Sequence, residues 1–550
     1  MTAAPATAPA SATDRALRAL VLVALAGGVA LRAWQFASGA ALNIAEIALA
    51  RNLEARSVAR LVSEPLALGQ LVMPGYLVLQ KGVVATLGTG PYALRLVPLL
   101  ASIAVLVAAW RLAVRATGPW GQLVAVGGAT LSVPGIAYGL ELKPFGGMDA
   151  AGALGMLWLA AWWLDAPAGV RRAALVALGG VLLIASSQPA AFCAGGAAAI
   201  MAYRAWRGAP AAERGPLLLV ALAWTAAGIA AWHAPTLQLA AGDAAKYDEL
   251  YASAFVPRPW PVVPFVHWMW TEATRLAGMQ LMFLPAPAVM AGAFGVGLAS
   301  LLAARGRVGA LVGAALAVMA AFSMAHVVPF GGVYLVFAVP LLFLGLGHLV
   351  DRVASLAPAG ARVLVGVAGA AVALASPAAA LAANRPPYVL QDAPAVLAQV
   401  RARWQPGDTL YAFFGARPAM RFYGPALGFQ PGQYVQGACH LGNPRAYLSE
   451  LDALRGQRRA WVFVVHDAGR DNARLLMLRY LDAIGTRLAS VVVTRPPFPP
   501  AAVGAFAYLY DLGDAARLAR ATVDSIAGPA PAVPPDERNC GWGPIAPEEP

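Results

Sequence analysis

Eleven apolar runs, each about as long as a bilayer is thick, constrain this chain more than any other feature of its sequence. They fall near 16–36, 93–113, 120–140, 148–165, 173–189, 190–206, 215–234, 277–303, 308–327, 332–350 and 363–383. A helix needs ~20 apolar residues to cross ~30 Å of hydrocarbon. Lipid offers no water to satisfy open backbone, so continuous runs of this kind cross as helices. Only 12% of residues are charged, against about 25% in soluble domains. The pair 173–189 and 190–206 is the least secure, because Ser186, Ser187, Gln188 and Pro189 must turn the chain by themselves. The first run lacks a small-residue cleavage site and is followed by further spans, so it reads as a retained anchor rather than a cleaved signal.

A formal charge of +13 would raise nucleic acid as a partner in a soluble protein, but the arginines have another explanation. Arg15, Arg18, Arg111, Arg115, Arg171, Arg172, Arg204, Arg207, Arg214, Arg305, Arg307, Arg352 and Arg362 lie in alternate short loops, all on one face. That is the positive-inside pattern. It places the N-terminal tail (1–15) in the cytoplasm and, after an odd number of spans, the C-terminal region outside. No nucleic-acid motif accompanies the charge, and that partner is rejected.

The outer face then holds most of the polar chemistry. A first loop (35–92) contains two segments with helical patterning, 43–60 and 74–88, read as amphipathic helices on the membrane surface. A second loop (235–276) carries Lys246, Tyr247, Asp248 and Glu249, then Trp260, Phe265, His267, Trp268 and Trp270. Aromatics at that density suit the headgroup level; a lid over a lipid-linked substrate is the sharper alternative. Residues 385–526 alternate helices (392–404, 443–454, 471–485) with strands (408–414, 461–466, 489–494, 505–511), the pattern of a small α/β domain. The tail 527–550 is Pro-rich and expected to be disordered. Cys193 falls inside a span; Cys439 and Cys540 fall in the external domain, where they are either disulfide-bonded or two separate thiols.

The spans carry almost no ionisable residues, which argues against a transporter or flippase with midplane charges. Charges gather instead at the outer ends of spans. Glu46 follows Asn43 by three residues at the start of the first loop, and Glu141-Leu142-Lys143-Pro144-Phe145 closes the third span with Asp149 opening the fourth. Carboxylates there can serve as a general base or orient a sugar, and Lys or Arg can neutralise a phosphate leaving group. The bland reading is that these are helix-end and snorkelling charges. Six histidines and the external cysteines show no metal-ligand spacing such as His-x-x-x-His, and neither a metal nor another cofactor is expected.

Over residues 15–510 the order and spacing of several short motifs resemble the GT-C-type membrane glycosyltransferases of the protein-mannosyltransferase and aminoarabinose-transferase kind. The matching stretches are Asn43 to Asn52, then Gln70, Pro74 and Gly75; Tyr92-Ala93-Leu94-Arg95-Leu96 with Pro98; Glu141 to Phe145; and Pro329-Phe330-Gly331-Gly332. The resemblance implies an α-helical polytopic fold of about 11 transmembrane helices with a C-terminal extracytoplasmic α/β domain, in the inner membrane. It implies inverting transfer of a sugar from a polyprenyl-phosphate donor to an acceptor on the outer face. Carried over residue by residue, it makes Glu46 and Asp149 the catalytic candidates, Lys143 and Arg95 phosphate contacts, and Glu141, Asn43 and Gln70 supporting groups. Three positions depart from the pattern: Ala45 stands where the family has its first acid, Val333 where an Arg often follows, and Asp149 sits one residue late. Those departures leave open a catalytically inactive relative that binds lipid-linked sugar or scaffolds envelope-polysaccharide assembly.

The topology is directly testable with reporter fusions. Alkaline phosphatase, which needs an oxidising compartment to form its disulfides, should be active when fused after Asp511 and silent after Arg207; the inverse pattern would reverse the orientation.

Overall fold

The computed structural model describes residues 11–528 apart from 168, 240–250, 281–285, 305, 431, 441–442, 468–472 and 494–503. Lys246 to Glu249, Cys540 and residues 529–550 therefore lie outside the described residues.

The chain is a multi-pass, mostly helical membrane protein with a mixed α/β domain at its C-terminal end. Helices occupy all eleven expected runs: Ala12–Ala37, Pro91–Ala116, Pro119–Leu131 with Val133–Ala137, Met148–Asp165, Val170–Ser186, Gln188–Arg207, Ala211–Trp232, Pro287–Ala303, Arg307–Met324, Val339–Leu356 and Arg362–Ala383. Among the described residues six of these are long and apolar enough to cross a bilayer, or seven with one bent pair, against the eleven expected. The others fall short for physical reasons. Pro287–Ala303 and Val170–Ser186 are 17 residues each, Met148–Asp165 begins and ends near an Asp, and Gln188–Arg207 owes its length to Ala and Gly with two Arg in its last turn. The weakest expectation, a very tight turn at 186–189, is met: Ser187 ends one helix and caps the next, its Oγ accepting from the Ala190 N–H at 3.3 Å.

Small residues let the helices approach closely, as is usual in lipid. A Cβ on Gly297 would lie 2.7 Å from the Leu346 nitrogen, and one on Gly345 would lie 2.9 Å from the Leu298 nitrogen. The Pro287–Ala303 and Val339–Leu356 helices thus meet backbone to backbone. The bent pair breaks by 61° between Leu131 and Val133. Pro134 cannot donate in a continuing helix, and Ser132 Oγ accepts from the Gly135 N–H at 3.0 Å instead. This bend turns the chain toward the irregular segment 141–147, where the candidate residues sit.

The C-terminal domain is a five-stranded sheet of order β2-β1-β3-β5-β4, with β1 Thr409–Ala412, β2 Tyr434–Gln436, β3 Ala460–Val465, β4 Thr486–Val492 and β5 Ala505–Asp511. β1 pairs parallel with β2 and β3, while β3 with β5 and β5 with β4 are antiparallel. The four expected strands and three expected helices are present. The edge strand β2 and the helices Arg417–Tyr423, Ala515–Leu518 and Val523–Ala527 are additional, all too short for a periodic signal, and the last reaches the first residue of the expected tail. All six residues of β3 are buried, as the apolar run at 461–465 requires.

The first loop forms three helices, Ile44–Ala55, Val58–Ser63 and Pro74–Leu87; Ile44–Ala55 is buried on most of its sides, whereas Pro74–Leu87 buries Tyr76 and Leu77 and leaves Val78, Leu79 and Leu87 exposed. Leu42, Ile47, Leu49, Leu53, Tyr76 and Leu77 share one buried core with Val396, Leu397, Leu410, Met420 and Trp461 of the α/β domain. In the first of these helices Ile44, Ile47, Ala48, Leu49, Ala50 and Leu53 are all buried, which leaves no broad polar face. Hydrogen bonds reinforce the junction. Leu42 N–H donates to Tyr423 Oη at 2.8 Å, Ile44 N–H to Gln391 Oε1 at 2.9 Å, and Gln391 Nε2 lies 3.0 Å from His466 Nδ1. Cys439 is disulfide-bonded, and Cys193 is a free thiol buried in its helix.

Candidate active site at one end of the bundle

Asn43, Glu46, Gln70, Arg95, Glu141, Lys143 and Asp149 are all at most 8% exposed, and the fold gathers them where the first loop meets the ends of the spans. Asn43 caps the Ile44–Ala55 helix: its Oδ1 accepts from the Ala45 and Glu46 N–H groups, and its own N–H donates to Glu46 Oε2 at 2.9 Å. This is a capping box, and it restrains the Glu46 side chain through contacts local in sequence. Asn43 Nδ2 then donates to Glu141 Oε1 at 3.1 Å across 98 residues of sequence.

Glu46 is the most connected group. Arg95 grips it in a fork, Nε and Nη2 donating to Oε1 at 3.1 and 3.0 Å and Nη2 to Oε2 at 2.7 Å. The Leu142 N–H donates to Oε1 at 2.9 Å. The remaining Arg95 donors reach the Ala40 and Ala41 carbonyls at 2.5 and 3.1 Å. A bidentate, fully hydrogen-bonded pair is the form in which buried charges persist. Glu46 and Arg95 answer one another, and neither presents a free edge.

Lys143 and Asp149 are less encumbered. Lys143 Nζ donates to Gln70 Oε1 at 2.7 Å and stands 5.3 Å from the Phe145 ring centroid, while Gln70 Nε2 is anchored on the Leu68 carbonyl at 2.9 Å. Asp149 Oδ1 accepts from the Gln188 N–H at a long 3.3 Å, and Ser187 Oγ donates to the Asp149 carbonyl at 3.2 Å. Tyr76 Oη holds the intervening chain by donating to the Leu142 carbonyl at 2.7 Å, and Gln80 Nε2 donates to Tyr76 Oη at 2.8 Å.

Two cations stand among three buried carboxylates, which leaves one carboxylate in excess, and Glu141 feels that excess directly. Burial, then the charge of Glu46, pushes its proton affinity well above the ordinary carboxylate range, against the pull of Arg95, Lys143 and the Asn43 hydrogen bond. Burial lowers Lys143 to about 8, with Glu141 and Asp149 drawing it back upward. Among the described residues no group of three or more His, Cys, Asp or Glu side chains is placed to hold a metal ion.

Sequence reasoning passed over Tyr76, Gln80, Gln391 and Arg32. Arg32 lies 1% exposed in the first helix, donating to Ser102 Oγ at 2.7 Å and to the Gly28 and Ala129 carbonyls at 3.2 Å each. Its signal was present, since a single arginine inside an otherwise apolar run must find acceptors within the bundle.

No protein-family profile matches this sequence, and no curated protein sequence matches it. Solved structures that resemble it include the apo oligosaccharyltransferase of Archaeoglobus fulgidus, at 13% identity and a TM-score of 0.49, covering 86% of this chain and 73% of that one. The archaeal oligosaccharyltransferase AglB from Archaeoglobus fulgidus, in complex with an inhibitory peptide and a dolichol-phosphate, gives 12% and 0.46 over 86% and 73%. ArnT from Cupriavidus metallidurans bound to undecaprenyl phosphate gives 15% and 0.39 over 92% and 99%. At this identity and these scores the likenesses carry no argument about chemistry.

Two substitutions separate the roles of the buried carboxylates. Glu46→Gln replaces one acceptor oxygen by a donor facing Arg95 and leaves a buried guanidinium uncompensated; breaking such a pair costs about 3–5 kcal/mol, read as a fall of several degrees in the thermal midpoint of the detergent-solubilised protein. Glu141→Gln behaves oppositely. Because the folded state holds the Glu141 proton more tightly than the unfolded chain, wild-type stability falls as pH rises from the ordinary carboxylate range through the raised folded value. Glu141→Gln is free of that loss, so its midpoint relative to wild type should climb between pH 5 and pH 8; a pH-independent difference would show that the fold does not raise the Glu141 proton affinity.

Proposed function

We propose that this protein is a membrane glycosyltransferase of the GT-C kind, moving a sugar from a polyprenyl-phosphate donor to an acceptor on the extracytoplasmic face with inversion. The N-terminus is cytoplasmic, the α/β domain is periplasmic, and the membrane is the inner one. The observation that supports this reading is that Lys143 and Asp149, six residues apart, are both buried at the same end of the bundle with neutral partners: Lys143 Nζ on Gln70 Oε1 and Asp149 Oδ1 on the Gln188 N–H.

In the reaction the Asp149 carboxylate takes the proton of the acceptor hydroxyl. The oxygen attacks the anomeric carbon from the face opposite the phosphate, and the bond between that carbon and the phosphate oxygen breaks. Lys143 meets the charge that develops on the departing phosphate. Glu46 and Arg95 act as positioning residues, because Glu46 fixes the Leu142 N–H and thereby the segment from Glu141 to Asp149. Glu141, Asn43 and Gln70 brace the two working groups.

A second reading, a relative that binds lipid-linked sugar or scaffolds envelope-polysaccharide assembly without turnover, is favoured by a different observation. Ala45 stands at the position of the family's first acid, and the adjacent Glu46 has its lone pairs taken by Arg95, Asn43 and Leu142.

Radiolabelled transfer from a panel of polyprenyl-phosphate sugars decides between them. Asp149→Asn should lower turnover about 10²–10⁴-fold, the usual worth of a general base, while the thermal midpoint shows the protein folded. Lys143→Gln should weaken both turnover and donor binding. Labelled lipid that binds without turnover across the panel would support the second reading.

A further inference from the structure

The opposite end of the bundle holds a second polar cluster, independent of the function proposed above. Arg95 and Arg115 sit near the two ends of the Pro91–Ala116 helix; their 20-residue separation corresponds to roughly 30 Å at the α-helical rise, the thickness of the hydrocarbon core. Asp149 and Asp165 likewise mark the two ends of Met148–Asp165. At the Arg115 end a cavity of about 390 Å³ opens among five helices, with Arg115, Asp165, Arg307 and His348 in its wall.

The charges of this cavity do not balance. The single Asp165 carboxylate accepts from Arg115 through Oδ2 and from Arg307 through Oδ1. One negative charge faces two guanidinium groups, and among the described residues neither arginine makes another side-chain hydrogen bond. A guanidinium carries five donors in a planar fork, so both retain N–H groups for a further acceptor. The helix Arg307–Met324 also starts at this wall. Its cap, Gly306, supplies no side-chain acceptor, and a Cβ built there would meet no atom within 4 Å. The positive end of an 18-residue helix therefore adds to the same field. His348 completes the wall with Nδ1 3.1 Å from Ser300 Oγ.

We infer that this cavity binds a phosphate group, carried by an anionic phospholipid headgroup or free in solution, between Arg115 and Arg307 at the Arg-rich face of the membrane. Basic pockets between helices at that level are suited to phosphate-bearing headgroups, and paired arginine forks match the phosphate oxygens. Asp165 is the internal competitor for the same donors.

The test uses full-length protein in nanodiscs of phosphatidylglycerol or phosphatidylcholine, with retained lipids counted by native mass spectrometry and thermal midpoints recorded alongside. Wild type should retain phosphatidylglycerol over phosphatidylcholine, and the double variant Arg115→Gln with Arg307→Gln should lose that preference by about tenfold, roughly 1.4 kcal/mol. Asp165→Asn keeps both arginines and removes their competitor, so it should raise retention; a merely structural trio would move the other way. Inorganic phosphate that raises the midpoint in phosphatidylcholine, in wild type but not in the double variant, identifies the free anion as the source. Equal retention by wild type, the double variant and Asp165→Asn, with no response to phosphate, would overturn the site, as would a loss of retention in Asp165→Asn.

Discussion

The bidentate pair between Glu46 and Arg95 is the interaction on which the candidate-site end of this molecule depends. A charge pair away from water survives only when each lone pair and each N–H is answered, and here the answers come from separate parts of the chain. The Ala40 and Ala41 carbonyls, the Asn43 N–H and the Leu142 N–H all close on it. The pair therefore ties the segment that enters the first loop, the cap of its first helix, the start of the second apolar run and the irregular segment after the bent span. Residues 141–147 have no regular α-helix of their own, and the pair's hold on the Leu142 N–H joins those of Tyr76, Asn43 and Gln70 in fixing them.

A second constraint is the shared core between the first loop and the α/β domain. Helix Ile44–Ala55 buries apolar residues around most of its circumference, so it needs cover on more than one side. The bundle gives one side and the sheet domain the other. The polar contacts at this junction are made by neutral groups, Gln391, Tyr423 and backbone N–H, which can be buried at lower cost than charges once hydrogen-bonded. The C-terminal domain is thus part of the wall around the candidate site rather than a module hung beside it.

Between the two ends, the bundle is nearly free of charge, with Arg32 the exception inside the first helix. The same helices carry a polar group at each extremity: Arg95 and Arg115 on one, Asp149 and Asp165 on another. This distribution follows from the solvent. Ionisable groups are costly at the bilayer centre and cheap at its edges, so a chain with few charges places them where water, headgroups or each other are in reach.

The existence of the helices, the α/β domain and the identity of the candidate residues were all determined by sequence, because hydropathy and β-patterning are local properties and because charges are rare enough here for each to stand out. Asn43 and Glu46 were legible even as a pair, since a capping box spans only three residues. What the tertiary structure decided was partnership. Glu46 meets Arg95 across 49 residues and Asn43 meets Glu141 across 98, and no local pattern states which carboxylate will be gripped by the guanidinium and which will not. It also decided the setting of the first-loop helices, whose apolar residues were visible but whose covering partner lies more than three hundred residues away. Burial and pairing are properties of where distant segments meet in space, and one-dimensional periodicity carries no term for that distance.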